Sequence, residues 1–162
     1  MPEPIVIRPE RPDHPQVVAL LNSLDAYLAT LYEPEANHIL SIEELVRQQV
    51  HFLAAWQGDA VVGCGGVRRM PGEPDTGGEP YGEIKRMYVS PSHRGDRIGS
   101  RLLEALEDHL VSQGLKLALL ETGAEQVQAV RLYERSGYAL RGPFGGYPDN
   151  GLSLFYAKVL DE

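Results

Sequence analysis

Cysteine, long apolar runs and basic residues are all scarce in this chain of 162 residues. Cys64 is its only cysteine, which excludes an intrachain disulfide and favours a reducing cytoplasm as the compartment. No apolar stretch approaches the roughly 20 residues of a membrane span. Met1 to Arg8 has no signal-peptide character. The sequence therefore predicts a cytoplasmic protein without a membrane partner.

The few basic residues are concentrated in one segment. Lys and Arg number 15 against 23 Asp and Glu, which gives a net charge of -8. Residues 85–101 hold five basic residues and one acidic residue, a local charge of +4, which leaves -12 for the rest of the chain. Duplex binding usually needs about 6 to 10 phosphate contacts on a broad basic face. We therefore expect no nucleic-acid partner and regard a small anionic ligand as the better fit to this segment.

Several motifs for cofactors and metals are missing as well. Neither GxGxxG nor GxxxxGKS/T occurs, which argues against a dinucleotide or nucleoside triphosphate ligand. The histidines show no metal-ligand spacing, so we expect no metal site. Cys64 lies inside an apolar run, which is typical of a small buried side chain rather than a nucleophile.

The apolar spacing and the Gly/Pro clusters predict one α/β domain over residues 1–162. The order of elements is β-α-α-β-β-β-α-β-α-β-β, with helices on the faces of a sheet. Ser41 with Glu44 marks the start of the short second helix. The predicted helices span residues 15–31, 42–50, 98–113 and 127–136, and the predicted strands span residues 5–8, 51–56, 60–69, 82–89, 117–121, 138–141 and 152–160.

Residues 87–100 run from a strand through a turn containing glycine into a helix. Such a connection aims unpaired N–H groups at one point, where the helix dipole favours an anion. An ordinary strand-to-helix connection with solvated arginines is the alternative. The bare pattern leaves both interpretations open.

Two segments resemble signatures of the GNAT superfamily of N-acetyltransferases. Residues 94–99 read Arg-Gly-Asp-Arg-Ile-Gly, similar to its acyl-CoA pyrophosphate loop of Arg or Gln, two residues, Gly, one residue, then Gly or Ala. Arg97 stands where the pattern has Gly, and its side chain either hinders the approach of the backbone or pairs with a phosphate; we favour the pairing. Residues 126–138 resemble the later signature Asn-x-x-Ala-x-x-Leu-Tyr-x-x-x-Gly-Phe, with Gln126 and Tyr138 as departures.

The resemblance implies a central mixed, mostly antiparallel sheet of six to seven strands with about four helices, and acetyl-CoA as the cosubstrate without a metal. Ile84 and Met87 are an odd number of residues apart, so a bulge between them would return both to one face. The family bulges here and binds the cofactor through backbone N–H groups. The implied cofactor-binding residues are Met87, Tyr88, Val89, Arg94, Gly95, Asp96, Arg97, Ile98, Gly99, Ser100 and Gln126.

For the chemistry, the resemblance implies direct attack of a primary amine on acetyl-CoA in a ternary complex, the amine belonging to a small molecule or an amino acid. Tyr133 matches the general acid, although a packed core tyrosine is the alternative. Glu83 and Glu121 match positions where family members place a catalytic base, with Glu83 ranked first. Either carboxylate could instead be solvated or ion-paired.

The acceptor side is implied to use two loops, where Glu33, His38, Tyr147 and Asp149 could orient a small cationic amine. Surface turns that use these residues for their backbone geometry are the alternative. Two other functions stay open: a protein or peptide N-acetyltransferase, and a non-catalytic acyl-CoA sensor. The sensor is suggested by Arg97, which departs from the family pattern. Homodimers are common in the family, and the sequence displays no interface.

Overall fold

The computed structural model of the protein describes residues 3–34, 39–149 and 151–160. Strands and helices follow one another in the predicted order, which confirms the α/β fold class. The strands are β1 Ile5–Pro9, β2 His51–Gln57, β3 Ala60–Met70, β4 Tyr81–Val89, β5 Leu117–Gly123, β6 Ala139–Arg141 and β7 Ser153–Val159. The helices are α1 Pro15–Leu31, α2 Ile42–Arg47, α3 Ile98–Ser112 and α4 Val127–Arg135.

Local signals account for most of these boundaries. Pro15 opens α1 behind His14, whose side chain accepts a hydrogen bond from the backbone of Gln16 at 3.1 Å. Ser41 caps α2 as predicted by accepting from the backbone N–H of Glu44 at 3.2 Å. The second helix ends at Arg47 rather than near residue 50, because Gln49 takes a left-handed backbone with φ 52° and β2 follows.

The seven strands form one mixed sheet in the order β1-β2-β3-β4-β5-β7-β6. The pairs β1–β2, β2–β3, β5–β7 and β6–β7 are antiparallel. Strands β4 and β5 pair in parallel, with Gly82 opposite Ala118 and Glu83 opposite Leu119. The sheet is therefore mixed and mostly antiparallel, as the family resemblance implied.

The chain divides into two compact units, and β4 and α3 contribute residues to each. The first unit comprises Met1–Arg68 and Lys85–Leu106; the second comprises Arg69–Ile84 and Glu107–Glu162. In the first unit, the buried face of α1 packs on Phe52, Ala54, Trp56 and Cys64. A separate cluster in the second unit contains Tyr81, Leu119, Phe144 and Phe155. One domain over residues 1–162 stays a prediction.

Candidate active site

The turn from β4 to α3, in the first unit, has the backbone features of an anion site. Gly95 has φ 101°, and a Cβ placed there would have no described residue within 4 Å, so open space lies in front of this backbone. The carbonyl of Arg97 accepts the first bond of α3, from the N–H of Arg101 at 3.0 Å. The N–H groups at the start of α3 consequently have no intrahelical acceptor and lie at the positive end of the helix dipole.

Arg97, the departure from the family pattern, has a left-handed backbone with φ 60°. This is a conformation that glycine adopts freely and that costs another residue roughly 1–2 kcal/mol. Its side chain is exposed. Arg97 thus has a backbone conformation typical of the glycine in the family pattern. Its side chain adds a cation beside the helix terminus.

Arg94 is tied to the end of β4. Its Nε donates a hydrogen bond to the carbonyl of Val89 at 3.2 Å, and its guanidinium lies 5.4 Å from the ring centre of Tyr88. The side chain is otherwise exposed. The structure thereby joins a predicted phosphate-binding arginine to two of the strand residues predicted to bind the cofactor through their backbone.

Strand β4 runs continuously from Tyr81 to Val89, but its backbone leaves the extended conformation at Arg86, between Ile84 and Met87. Arg86 has φ 60°, so the backbone is irregular at the place where a bulge was predicted. Its carbonyl accepts the Cys64 thiol at a distance of 3.6 Å. The next side chain, Met87, lies against Gly65 of β3, where an added Cβ would be only 2.3 Å from its sulfur. The role of residues 87–89 in cofactor binding stays a prediction.

Glu83, the first-ranked base, is buried in the second unit with 1% of its surface exposed. Its Oε2 accepts a hydrogen bond from the phenol of Tyr147 at 2.5 Å. The ring of Tyr147 packs against Phe144 and Phe155, with ring centres 5.5 and 6.0 Å apart. The fold therefore brings together a predicted base and a predicted acceptor-binding residue.

Tyr133 and Glu121 form a second group in the same unit. Burial raises the pKa of the Tyr133 phenol, and the nearby negative charge of Glu121 raises it further. Glu121 accepts a hydrogen bond from the hydroxyl of Ser153 at 2.6 Å. Tyr133 therefore keeps its proton throughout the neutral range.

Glu83 and Tyr133 lie beside different residues of β5 and β7. Glu83 lies opposite Leu119 in the register, on the face that carries Phe155 and Tyr147. Tyr133 packs instead near Tyr156, whose side chain alternates to the other face, with ring centres 6.4 Å apart.

Comparison with known proteins decides the family. The Acetyltransferase (GNAT) family model matches residues 17–138. The chain belongs to the GNAT acetyltransferase family. An IAA acetyltransferase of Azospirillum brasilense is 45% identical over 156 residues, which cover 96% of this chain and 98% of the relative. The GNAT chain is accordingly an acyltransferase.

Solved structures agree with the fold. A protein from Klebsiella pneumoniae assigned as an acyl-CoA N-acyltransferase has a TM-score of 0.76 and 32% identity, with 97% of this chain and 98% of that chain covered. The PaiA N-acetyltransferase of Thermoplasma acidophilum, solved with coenzyme A, has a TM-score of 0.73 and covers 96% of this chain and 99% of that chain. At 19% identity the second likeness shows the fold alone.

The family uses acetyl-CoA, and the turn before α3 fits its phosphates. Arg94 and Arg97 are exposed beside the helix terminus, and the space in front of Gly95 is open. Among the described residues, no group of three or more His, Cys, Asp or Glu could hold a metal ion. In the same described ranges no helix is both long and apolar enough to cross a membrane.

The other residues that were predicted to bind the cofactor or the acceptor lie outside the groups described above. Gln126 precedes α4, and its carbonyl accepts the N–H of Val130 at 3.0 Å. Glu33, in the first unit, and Asp149, in the second, are both exposed. His38 lies outside the described residues. The acceptor-binding roles of these residues stay predictions.

Sequence reasoning missed three residues that hold parts of the candidate site in place. Glu73 accepts the backbone N–H of Gly145 at 2.6 Å and so holds the loop that carries Tyr147. Ser153 donates to Glu121, and Asp25 pairs with Arg86. Their partners are distant in sequence, and no local motif marks them.

Proposed function

We propose that this chain is an N-acetyltransferase that moves an acetyl group from acetyl-CoA to the primary amine of a small molecule or amino acid. The amine attacks directly in a ternary complex. The observation that carries the proposal is the buried carboxylate of Glu83 with its hydrogen bond from Tyr147. A buried carboxylate that is oriented by a hydrogen-bond donor is the kind of group that removes a proton from an ammonium ion.

In this proposal Glu83 takes the amine proton, directly or through a water molecule, and Tyr147 orients the carboxylate. Tyr133 supplies the proton that the departing sulfur needs. Its phenol is protonated at neutral pH, as a donor to sulfur must be. Glu121 is the second candidate for the base, and its contact with Ser153 supports an ordered carboxylate there.

Most of the proposed cofactor contacts are made by residues of the first unit. Acetyl-CoA supplies the acetyl thioester and a thiol leaving group. Arg94, Arg97 and the N–H groups at the start of α3 hold its phosphates, since charge-assisted hydrogen bonds to anions are the strong ones. The backbone of residues 87–89 and Gln126 complete the proposed contacts.

A small acceptor is favoured over a peptide for two reasons. The 45% identical relative is named for a small-molecule activity, as an IAA acetyltransferase. Glu83 is almost fully enclosed, and the part-buried Tyr147 is bonded to it. The loop that carries Tyr147 would have to move to admit an acceptor to Glu83. A small amine requires a smaller movement than a peptide chain does.

The deciding experiment measures CoA thiol release from acetyl-CoA with a panel of acceptors. The panel contains small primary amines, free amino acids, IAA, and peptides with free N-termini or lysines. We expect turnover on small amines and a large loss of kcat in Tyr133→Phe. Turnover confined to peptides would refute a small-molecule acceptor. CoA binding without turnover on any acceptor would indicate a sensor.

A further inference from the structure

Arg86 is an unusual residue for the interior of a strand. Its side chain is only 4% exposed, its backbone is left-handed, and its buried Nε has no hydrogen-bond partner among the described residues. Each of these features costs free energy. Outliers of this kind persist where the surrounding structure holds them, and they concentrate near functional sites.

The guanidinium and the backbone carbonyl of Arg86 are both held by hydrogen bonds within the first unit. Its Nη1 and Nη2 donate to the two carboxylate oxygens of Asp25 on α1, at 2.6 and 3.3 Å. Its carbonyl accepts the thiol of Cys64 on β3. Asp25 is the exposed end of the pair, with 41% of its side chain accessible, so the ion pair reaches from the surface to the strand.

The segment that follows Arg86 is the one assigned to cofactor binding. Tyr88 and Val89 contact Arg94 through its guanidinium and its Nε. The N–H of Ser90 donates to Val62 at 2.8 Å, which fixes the far end of the same segment. The direction in which the strand leaves Arg86 therefore determines where its N–H groups and Arg94 lie.

We propose that Asp25 and Arg86 are positioning residues for acetyl-CoA: their ion pair holds the left-handed turn in β4 that aims the backbone of residues 87–89 at the cofactor. This inference rests on the proposed function, which assigns that backbone to acetyl-CoA. A packed apolar side chain could fill the same volume, and buried ion pairs are often replaceable in that way. It could not supply the bidentate tie to α1 that keeps the backbone at φ 60°.

The test compares Asp25→Asn with Asp25→Glu and with Glu44→Gln. The asparagine removes the charge at nearly constant shape, the glutamate restores a carboxylate, and Glu44 belongs to an exposed ion pair with Arg47 on α2. The readouts are the Kd of CoA by calorimetry and the KM values for acetyl-CoA and the acceptor. We expect Asp25→Asn to raise the Kd of CoA and the KM for acetyl-CoA roughly tenfold, because remote misplacement of binding groups weakens them strongly. The acceptor KM, and both control variants, should change by less than about threefold on the same grounds.

An unchanged Kd of CoA in Asp25→Asn would overturn the proposal, and so would an equal rise in both KM values, which indicates a general structural defect. If Asp25→Asn does not fold, Arg86→Gly decides, because glycine accepts φ 60° without the ion pair. Weaker CoA binding in a folded Arg86→Gly supports the proposal, and wild-type binding refutes it. Calorimetry with CoA needs no acceptor. A wild-type protein that binds CoA but acetylates no amine therefore refutes the proposed acceptor and leaves this test intact.

Discussion

The phenol of Tyr147 donates a hydrogen bond to Oε2 of Glu83, and the two residues are 64 positions apart in the chain. One comes from a Gly/Pro-rich loop after β6 and the other from β4. Glu73 holds that loop through the N–H of Gly145, and Phe144 anchors it in the core of the second unit. The proposed base and the proposed acceptor loop are thus mechanically connected, so a change in the loop reaches the carboxylate.

Removal of the Tyr147 hydroxyl should affect both stability and rate. Tyr147→Phe keeps the aromatic packing and removes the donor to buried Glu83. We expect the free energy of unfolding to fall by about 1–3 kcal/mol, as for other hydrogen bonds to charged groups. We also expect kcat to fall, because the carboxylate is less well oriented. Tyr156→Phe is the control, since its hydroxyl bonds to exposed Glu134 at 3.0 Å; equal effects of the two changes would contradict the proposed role.

The two candidate bases can be separated by matched amide variants. Glu83→Gln should lower kcat by about 10²-fold or more, in the range that a general base contributes. Glu121→Gln should have a much smaller effect, because Ser153 can still donate to the amide oxygen. The rates are measured against pH, where the loss of the base should flatten the profile. An unchanged profile in Glu83→Gln would transfer the role to Glu121 or to solvent.

Arg94 is expected to act on the cofactor and not on the acceptor. Arg94→Ala should raise the KM for acetyl-CoA roughly 10- to 100-fold, the equivalent of one charged hydrogen bond. The KM for the amine should change far less. Arg69→Ala, an exposed arginine on β3, controls for net charge. Equal increases in the two KM values would refute the phosphate role of Arg94.

Arg97 combines a strained backbone with a cation, and two variants separate these contributions. Arg97→Gly and Arg97→Ala both remove the guanidinium, but only glycine accepts φ 60° freely. The glycine variant should be more stable to urea than the alanine variant by about 1 kcal/mol. Both variants should raise the KM for acetyl-CoA by the same factor. If neither KM changes, the guanidinium does not pair with a phosphate.

The stability of the protein should fall at high pH because of two buried tyrosines. Burial and Glu121 raise the pKa of Tyr133; burial and Glu107, which accepts the hydroxyl at 2.9 Å, raise that of Tyr138. As pH rises past about 10, the unfolded chain loses these protons first, so the free energy of unfolding decreases. Below that pH their contribution is fully present.

Urea unfolding at a series of pH values measures this dependence. Tyr133→Phe and Tyr138→Phe should each flatten the decrease above about pH 10. The second variant also loses the bond to Glu107, which lowers stability at every pH. A wild-type free energy of unfolding that stays level well above pH 10 would contradict the buried, protonated state of both phenols.

Local patterns predicted much of the fold. The apolar spacing of α1 and the Gly58–Asp59 turn produced boundaries close to those observed, because helix and hairpin formation depend on near neighbours. The odd spacing of Ile84 and Met87 pointed to an irregular position in β4, and the backbone of Arg86 between them is left-handed. The end of α2 was misplaced, since the left-handed backbone at Gln49 has no strong local signature.

The sequence by itself determined the family, the order of the elements and the strand-turn-helix that carries Arg94 and Arg97, because each is written in contiguous residues. Only the tertiary structure decided which carboxylate meets Tyr147 and which residue pairs with Arg86. Asp25 and Arg86 are 61 positions apart, and Tyr147 and Glu83 are 64 apart. Contacts at such separations form when packed elements bring side chains together, and no local periodicity encodes them.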